Sequence, residues 1–209
     1  ALELEQGWMK GEILLNLDTE DDREIGIGCA GGIDLGFSGQ LATNAPTAAH
    51  GLVVEVKGGS GGHSGMDIHK GIANANKLLV RVLREMLLSD GGGKAIELAA
   101  MDGGGLRNAI PREARATIAS SQTAADWSQQ LAGLVSDIQA EYKTTDPSLS
   151  VSFHTADAPE QVLSTSAAGT LLSALDFCPN GIDRMSPDIE GLVQTSNNVA
   201  RISLEAGAA

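Results

Sequence analysis

The order in which the apolar period changes between residues 51 and 156 restricts this chain more than any other property. Leu52, Val54 and Val56 alternate with Val53, Glu55 and Lys57, the two-residue period of a strand with one buried face. Ile68, Ile72, Ala75, Leu79, Val82, Leu83 and Met86 then recur at steps of three and four, which predicts a helix over 68–88. Ser64 or Asp67 is the expected cap, and Gly91-Gly92-Gly93 the stop. Alternation returns at 95–101, with Ile96, Leu98 and Ala100 inward, and at 114–119, with Arg115 and Thr117 outward. Trp127, Leu131, Leu134, Val135, Ile138 and Tyr142 form a second helical stripe, and Leu149, Val151 and Phe153 a last strand. The order β-α-β-β-α-β is ferredoxin-like. The expected class is α+β, a four-stranded antiparallel sheet with two helices on one face.

The flanks extend this core. Residues 12–18 read as a buried strand running into an acidic cluster, and 25–29 as a short strand entering Gly31-Gly32. Residues 33–50 look irregular. A third helix is expected near 166–177, followed by a turn at Pro179-Asn180-Gly181 and strand-like runs near 190–195 and 199–204. The core therefore spans about 51–156, with an extension over 157–209.

Bulk properties exclude some functions. A net charge of −13 over 209 residues argues against nucleic acid and anionic membrane as partners, since both demand basic surface. Cys29 and Cys178 lie far apart without CxxC spacing, which favours a reducing compartment and implies no structural zinc site. With no long apolar run and no leader pattern, a cytoplasmic location is the expectation.

The segment from Gly58 to His69 carries the strongest chemical signal. Five glycines surround His63, so the backbone can approach a ligand closely and leave the imidazole accessible. His63 reads either as a hydrogen-bond donor to a substrate carbonyl or as a solvated loop histidine. A metal cluster of His63, Asp67 and His69 is a weaker reading, because the latter two sit at an expected helix start and point apart. The loop 102–112 is longer than a hairpin needs and rich in glycine, and it presents Asn108 just before an extended Ile110-Pro111 unit. Asn108 is either a ligand-facing amide or a turn residue. Asp18 ends an apolar strand, a common place for a metal ligand, but four acids within 18–22 also read as a solvated run. Gly26 to Gly31 matches GxGxxG, yet no helix start follows, so dinucleotide binding is disfavoured. His50 and His154 read as structural or surface residues. Arg184 and Arg201 are open to carboxylate binding or plain ion pairing.

Three blocks together resemble the aminoacyl-histidine dipeptidase group of the cocatalytic zinc exopeptidases. They are Leu14-Leu15-Asn16-Leu17-Asp18-Thr19-Glu20, the His63 segment running into Gly71-Ile72-Ala73-Asn74-Ala75-Asn76-Lys77, and Asn108-Ala109-Ile110-Pro111. The resemblance implies a two-zinc catalytic domain interrupted by a ferredoxin-like lid that also dimerises, acting on dipeptides that end in histidine. It implies that Asp18 ligates one zinc. It implies that His63 reaches a substrate carbonyl and stabilises the oxyanion, commonly in the partner subunit's site, and that Asn108 lies near the substrate. The upstream H-x-D segment, the bridging aspartate and the paired glutamates of the family have no counterpart here, and its downstream zinc histidine and substrate arginine are not assigned to any residue. The expectation is a lid, 31–209, with a catalytic-domain remnant at 1–30 that is inactive alone. A stand-alone regulatory or ligand-binding dimerisation module is the alternative, and fold by itself does not separate the two.

Overall fold

A computed structural model describes residues 7, 10–13, 15, 23, 31–89, 95–205 and 207–209. Asp18, the strand expected at 25–29 and residues 26–30 of the glycine pattern lie outside the described residues. The chain divides into two compact units, Ala1–Leu35 and Gly36–Ala209.

In the larger unit the elements run β1 (Thr43–Asn44), β2 (His50–Lys57), β3 (Gly62–His63), a 3-10 turn (Ile68–Lys70), α1 (Ala75–Leu88), β4 (Ile96–Gly104) and β5 (Ala109–Ile110). Then follow β6 (Ala114–Ser120), α2 (Ala124–Gln130), α3 (Ala132–Glu141), β7 (Ser150–Ala156), β8 (Val162–Leu163) and α4 (Thr165–Phe177). A hairpin of β9 (Gly181–Met185) and β10 (Val193–Asn197) and a final strand β11 (Arg201–Leu204) complete it. The main sheet has the order β11-β4-β6-β2-β7 and is antiparallel throughout. Four of its strands, β4-β6-β2-β7, keep the ferredoxin-like order, so the expected class and topology hold.

The core lies between this sheet and the helices. Leu52, Val54 and Val56 from β2, Leu98 and Ile118 from neighbouring strands, and Leu79, Val82, Leu83 and Met86 from α1 are at most 1% exposed. Trp127 and Ile138 close the second half, and the Trp127 indole donates to Ser120 Oγ at 2.8 Å, which satisfies its buried N–H. The extension packs α4 against α1. There the Lys77 ammonium donates to the carbonyls of Leu175 (2.7 Å), Asp176 (2.7 Å) and Cys178 (2.8 Å), the bare acceptors at the C-terminus of α4. Burial pulls the Lys77 ammonium below the usual lysine range.

Several expectations need correction. The helix over 68–88 is not continuous: Gly71 takes φ +65°, which ends the 3-10 turn, and α1 starts only at Ala75. Its cap is Asn74, whose Oδ1 accepts from the Asn76 and Lys77 amides at 3.0 and 3.3 Å, and neither Ser64 nor Asp67 caps it. Ile68 stays buried all the same, so the apolar period survives a change of backbone. In β4 the register shifts between Leu98 and Ala100, so Met101 and not Ala100 points inward. The second helical stripe is divided at Leu131 into α2 and α3. The sheet has five strands rather than four because β11 pairs with β4. The strand β9 begins at Gly181, within the expected turn, and pairs with β10 as a hairpin outside the main sheet.

Candidate functional site

The His63 loop leaves the sheet where β2 ends. Gly58 has φ +82°, and a Cβ there would sit 2.0 Å from the Ser148 carbonyl oxygen, so no other residue allows this turn. The Gly59 amide donates to the Arg112 carbonyl (3.1 Å), and Arg112 Nε returns a bond to the Gly59 carbonyl (3.2 Å). The strand pair β3–β5 follows, with Gly62 opposite Ile110 and His63 opposite Ala109. The Ser64 amide donates to the Asn108 carbonyl at 2.8 Å. The two glycine-rich loops singled out in the sequence are thus joined by backbone hydrogen bonds, which bring exposed His63 and Asn108 onto adjacent positions of neighbouring segments.

His63 is held in a defined tautomer. Its Nδ1 accepts from the backbone amides of Gly65 (3.1 Å) and Met66 (3.2 Å). A ring nitrogen that accepts carries no proton, so the neutral imidazole bears its hydrogen on Nε2. The free edge of the ring is therefore a donor. Asp67 fixes the turn beneath it: Oδ2 accepts the His63 amide at 2.7 Å, and the Asp67 amide donates to the His63 carbonyl at 2.8 Å. The Lys70 ammonium lies 2.7 Å from Asp67 Oδ1. That bond, and then the His63 amide, hold the Asp67 carboxyl below the usual aspartate range.

Two further groups position these loops and escaped the sequence reading. Asp146, 2% exposed, accepts the Ser60 amide (2.7 Å) and the Ala73 amide (2.9 Å). The Asn74 amide group donates to Asn180 Oδ1, Asn198 Oδ1 and the Val199 carbonyl, while Asn198 Nδ2 donates to the Ala109 carbonyl at 2.8 Å. This asparagine chain ties the start of α1, the β5 loop and the segment before β11 together. In sequence Asp146 sits in a Thr-Thr-Asp-Pro turn, and the asparagines look like ordinary turn residues. Only Asn74, immediately before an apolar helix, carried a usable cap signal.

Other candidates resolve differently. Among the described residues no three His, Cys, Asp or Glu side chains gather as a metal site, and the Asp67 carboxylate is committed to Lys70 and the His63 amide. The described part of the chain therefore does not fit the zinc centre that the resemblance implies. Arg201 is an ion-pair residue, 2.8 Å from Asp102 Oδ1 and bonded to the Gly104 carbonyl. His154 shares its Nε2 with Ser152 Oγ (2.9 Å) and Glu55 Oε2 (3.6 Å) on the open sheet face. Because one nitrogen serves both neighbours, no relay through the ring exists.

Residues 51–148 match the peptidase dimerisation domain family. Over 208 residues the chain is 36% identical to the cytosol non-specific dipeptidase of Escherichia coli K12, covering 98% of this chain and 42% of that protein. It superposes on the crystal structure of aminoacylhistidine dipeptidase from Vibrio alginolyticus with a TM-score of 0.80 and 37% identity, over 99% of this chain and 42% of that one. The chain thus spans less than half the length of either relative. No described helix is long and apolar enough to cross a membrane. On the sheet order, the matched segment and the two alignments, residues 51–148 form a peptidase dimerisation domain, and the chain around them is similar to the corresponding part of these two dipeptidases.

Proposed function

We propose that this chain is the lid and dimerisation part of a cytoplasmic, zinc-dependent dipeptidase acting on dipeptides that end in histidine. In this reading residues 1–30 are a remnant of the catalytic domain and 31–209 the lid. The observation that carries it is the His63 ring, exposed on a braced loop with Nδ1 occupied by two backbone amides and Nε2–H facing outward. A donor fixed before substrate arrives stabilises a developing oxyanion without reorganising during the reaction. Asn108, on the loop joined to His63, supplies an amide for the substrate backbone. Zinc, when bound in the whole enzyme, would supply an activated water, and Asp18 is the residue of this chain that we assign to holding it. The lid works as one half of a homodimer, so that His63 reaches the site of the partner subunit.

The test is His63→Ala in the full-length protein carrying this chain, assayed on an alanyl-histidine dipeptide. Loss of one oxyanion donor is expected to lower kcat by about 10²–10³-fold. Because His63 is exposed, the unfolding midpoint should hardly move. An unchanged kcat would remove the catalytic role.

A further inference from the structure

The reading of His63 leaves one buried group unused. Asp146 lies in the turn between α3 and β7, with its own amide bonded to the Tyr142 carbonyl (2.8 Å) and its carbonyl to the Leu149 amide (3.0 Å). Leu149 is 4% exposed, so this turn is fastened to the core. The carboxylate is 2% exposed and uses one oxygen on Ser60 and the other on Ala73. Those two amides bracket the segment that carries β3, His63, Asp67 and the 3-10 turn. Ser60 Oγ adds a bond to the neighbouring Thr145 carbonyl at 2.6 Å.

We propose that Asp146 is the positioning residue of His63: one buried carboxylate closes the His63 loop at both ends and so sets where the imidazole points. This rests on the catalytic reading of His63 given above. The loop has little else to hold it. Between Gly61 and Ile72 the sole side chain in the core is Ile68, at 7% exposed. Its remaining restraints are polar, and most of them, such as those from Asp67 to His63 and Lys70, lie within the loop. Bonds inside a loop shape it but do not orient it against the sheet. The anchors to the rest of the fold are the β5 contact, the 3-10 turn against β9, and at the base the Ser60 hydroxyl on Thr145 together with Asp146, which is the one group among them that holds both ends of the loop. A carboxylate suits the base because both oxygens accept and neither donates. An asparagine of the same shape would set an NH₂ against one of the two amide donors.

The experiment is a double-mutant cycle in the full-length protein, with alanyl-histidine as substrate. Asp146→Asn is expected to lower kcat by about 10²-fold through misplacement of the ring, with KM changed far less. In the His63→Ala background the same substitution should cause no further loss. Hydrogen exchange should accelerate over 60–73 and stay unchanged in α1 and the sheet. A loss that persists in full without His63, or an unchanged kcat in Asp146→Asn, overturns the proposal. So does faster exchange throughout the chain, which marks general destabilisation. If His63→Ala alone has no effect, the catalytic reading of His63 fails and the positioning role falls with it, whereas an effect of His63→Ala with additive losses sinks the role of Asp146 alone. Should Asp146→Asn not fold, the wild-type protein decides. Ser60 and Ala73 amides that exchange in one shared opening support the clamp, and independent, rapid exchange at the two sites overturns it.

Discussion

At the scale of single residues, this chain places polar groups where the backbone cannot satisfy itself. Asp67 is the clearest case, because its carboxylate holds the turn under His63 and is itself held by Lys70. Its depressed pKa has a direct consequence. In the unfolded chain the carboxyl takes up a proton near 3.8, while in the folded chain it does so at lower pH. Whatever Asp67 contributes to the loop is therefore complete above that value and is lost as the pH falls through the depressed one. The His63 amide proton, followed by NMR from neutral to acid pH, should keep its hydrogen-bonded shift until below 3.8 and then move. A transition centred above that point would show that Asp67 does not hold the turn. Glu97 behaves alike on a different segment. Burial raises its pKa, but the Ala48 and Thr47 amides and the Thr47 hydroxyl outweigh this and leave it lowered.

At the scale of elements, α1 joins the sheet core to the site. Its apolar face is buried by β2, β4 and β6, and its first turn is fixed by the asparagine chain. Asn74→Ala removes a cap and a donor to Asn180, Asn198 and Val199; the Val199 carbonyl keeps Asn76 Nδ2 and Asn180 Oδ1 keeps the Val199 amide, so Asn198 Oδ1 is the acceptor that loses most. A cap alone is worth about 0.5–2 kcal/mol. Orphaned acceptors cost about 1–3 kcal/mol more where they are buried. Urea unfolding should show a loss of roughly 2 kcal/mol or more. Asn74→Asp restores the capping oxygen but not the donor, so it should recover only part of that loss. Full recovery would mean that the links to Asn180 and Asn198 add nothing.

For the whole molecule, the open sheet raises the question of partners. A five-stranded sheet that begins at β11 and ends at β7 has two edges, and β11 already covers the side of β4 that a four-stranded sheet would have left free. Among the described residues no strand pairs with the outer edge of β7, Ser150–Ala156. The polar face opposite the helices carries paired charges, Glu55 with Lys57 and Asp102 with Arg115 and Arg201, so it is suited to water more than to an apolar contact. Sedimentation of this chain at tens of micromolar is expected to give a dimer, as the proposed role requires. A monomer throughout that range would count against dimerisation through this domain.

What the sequence determined by itself is the set of local patterns. Alternation in β2, β6 and β7 and the three-four stripes of α1 and α2–α3 follow from which residues turn apolar in step with the backbone period. That was enough to derive the ferredoxin-like order and most of the buried face. Glycine density around His63 and Asn108 was likewise legible, because close approach leaves its mark in composition. The tertiary structure alone decided what depends on residues distant along the chain. Gly71 breaks the helix because the loop must return to Asp146 and Pro111, and β11 finds β4 almost a hundred residues away, with Arg201 opposite Gly104. The His63 tautomer follows from two amides that no periodicity marks. Asp146 and the asparagine chain work through single hydrogen bonds between distant segments. A lone polar side chain that satisfies two remote amides looks, in sequence, like any other turn residue.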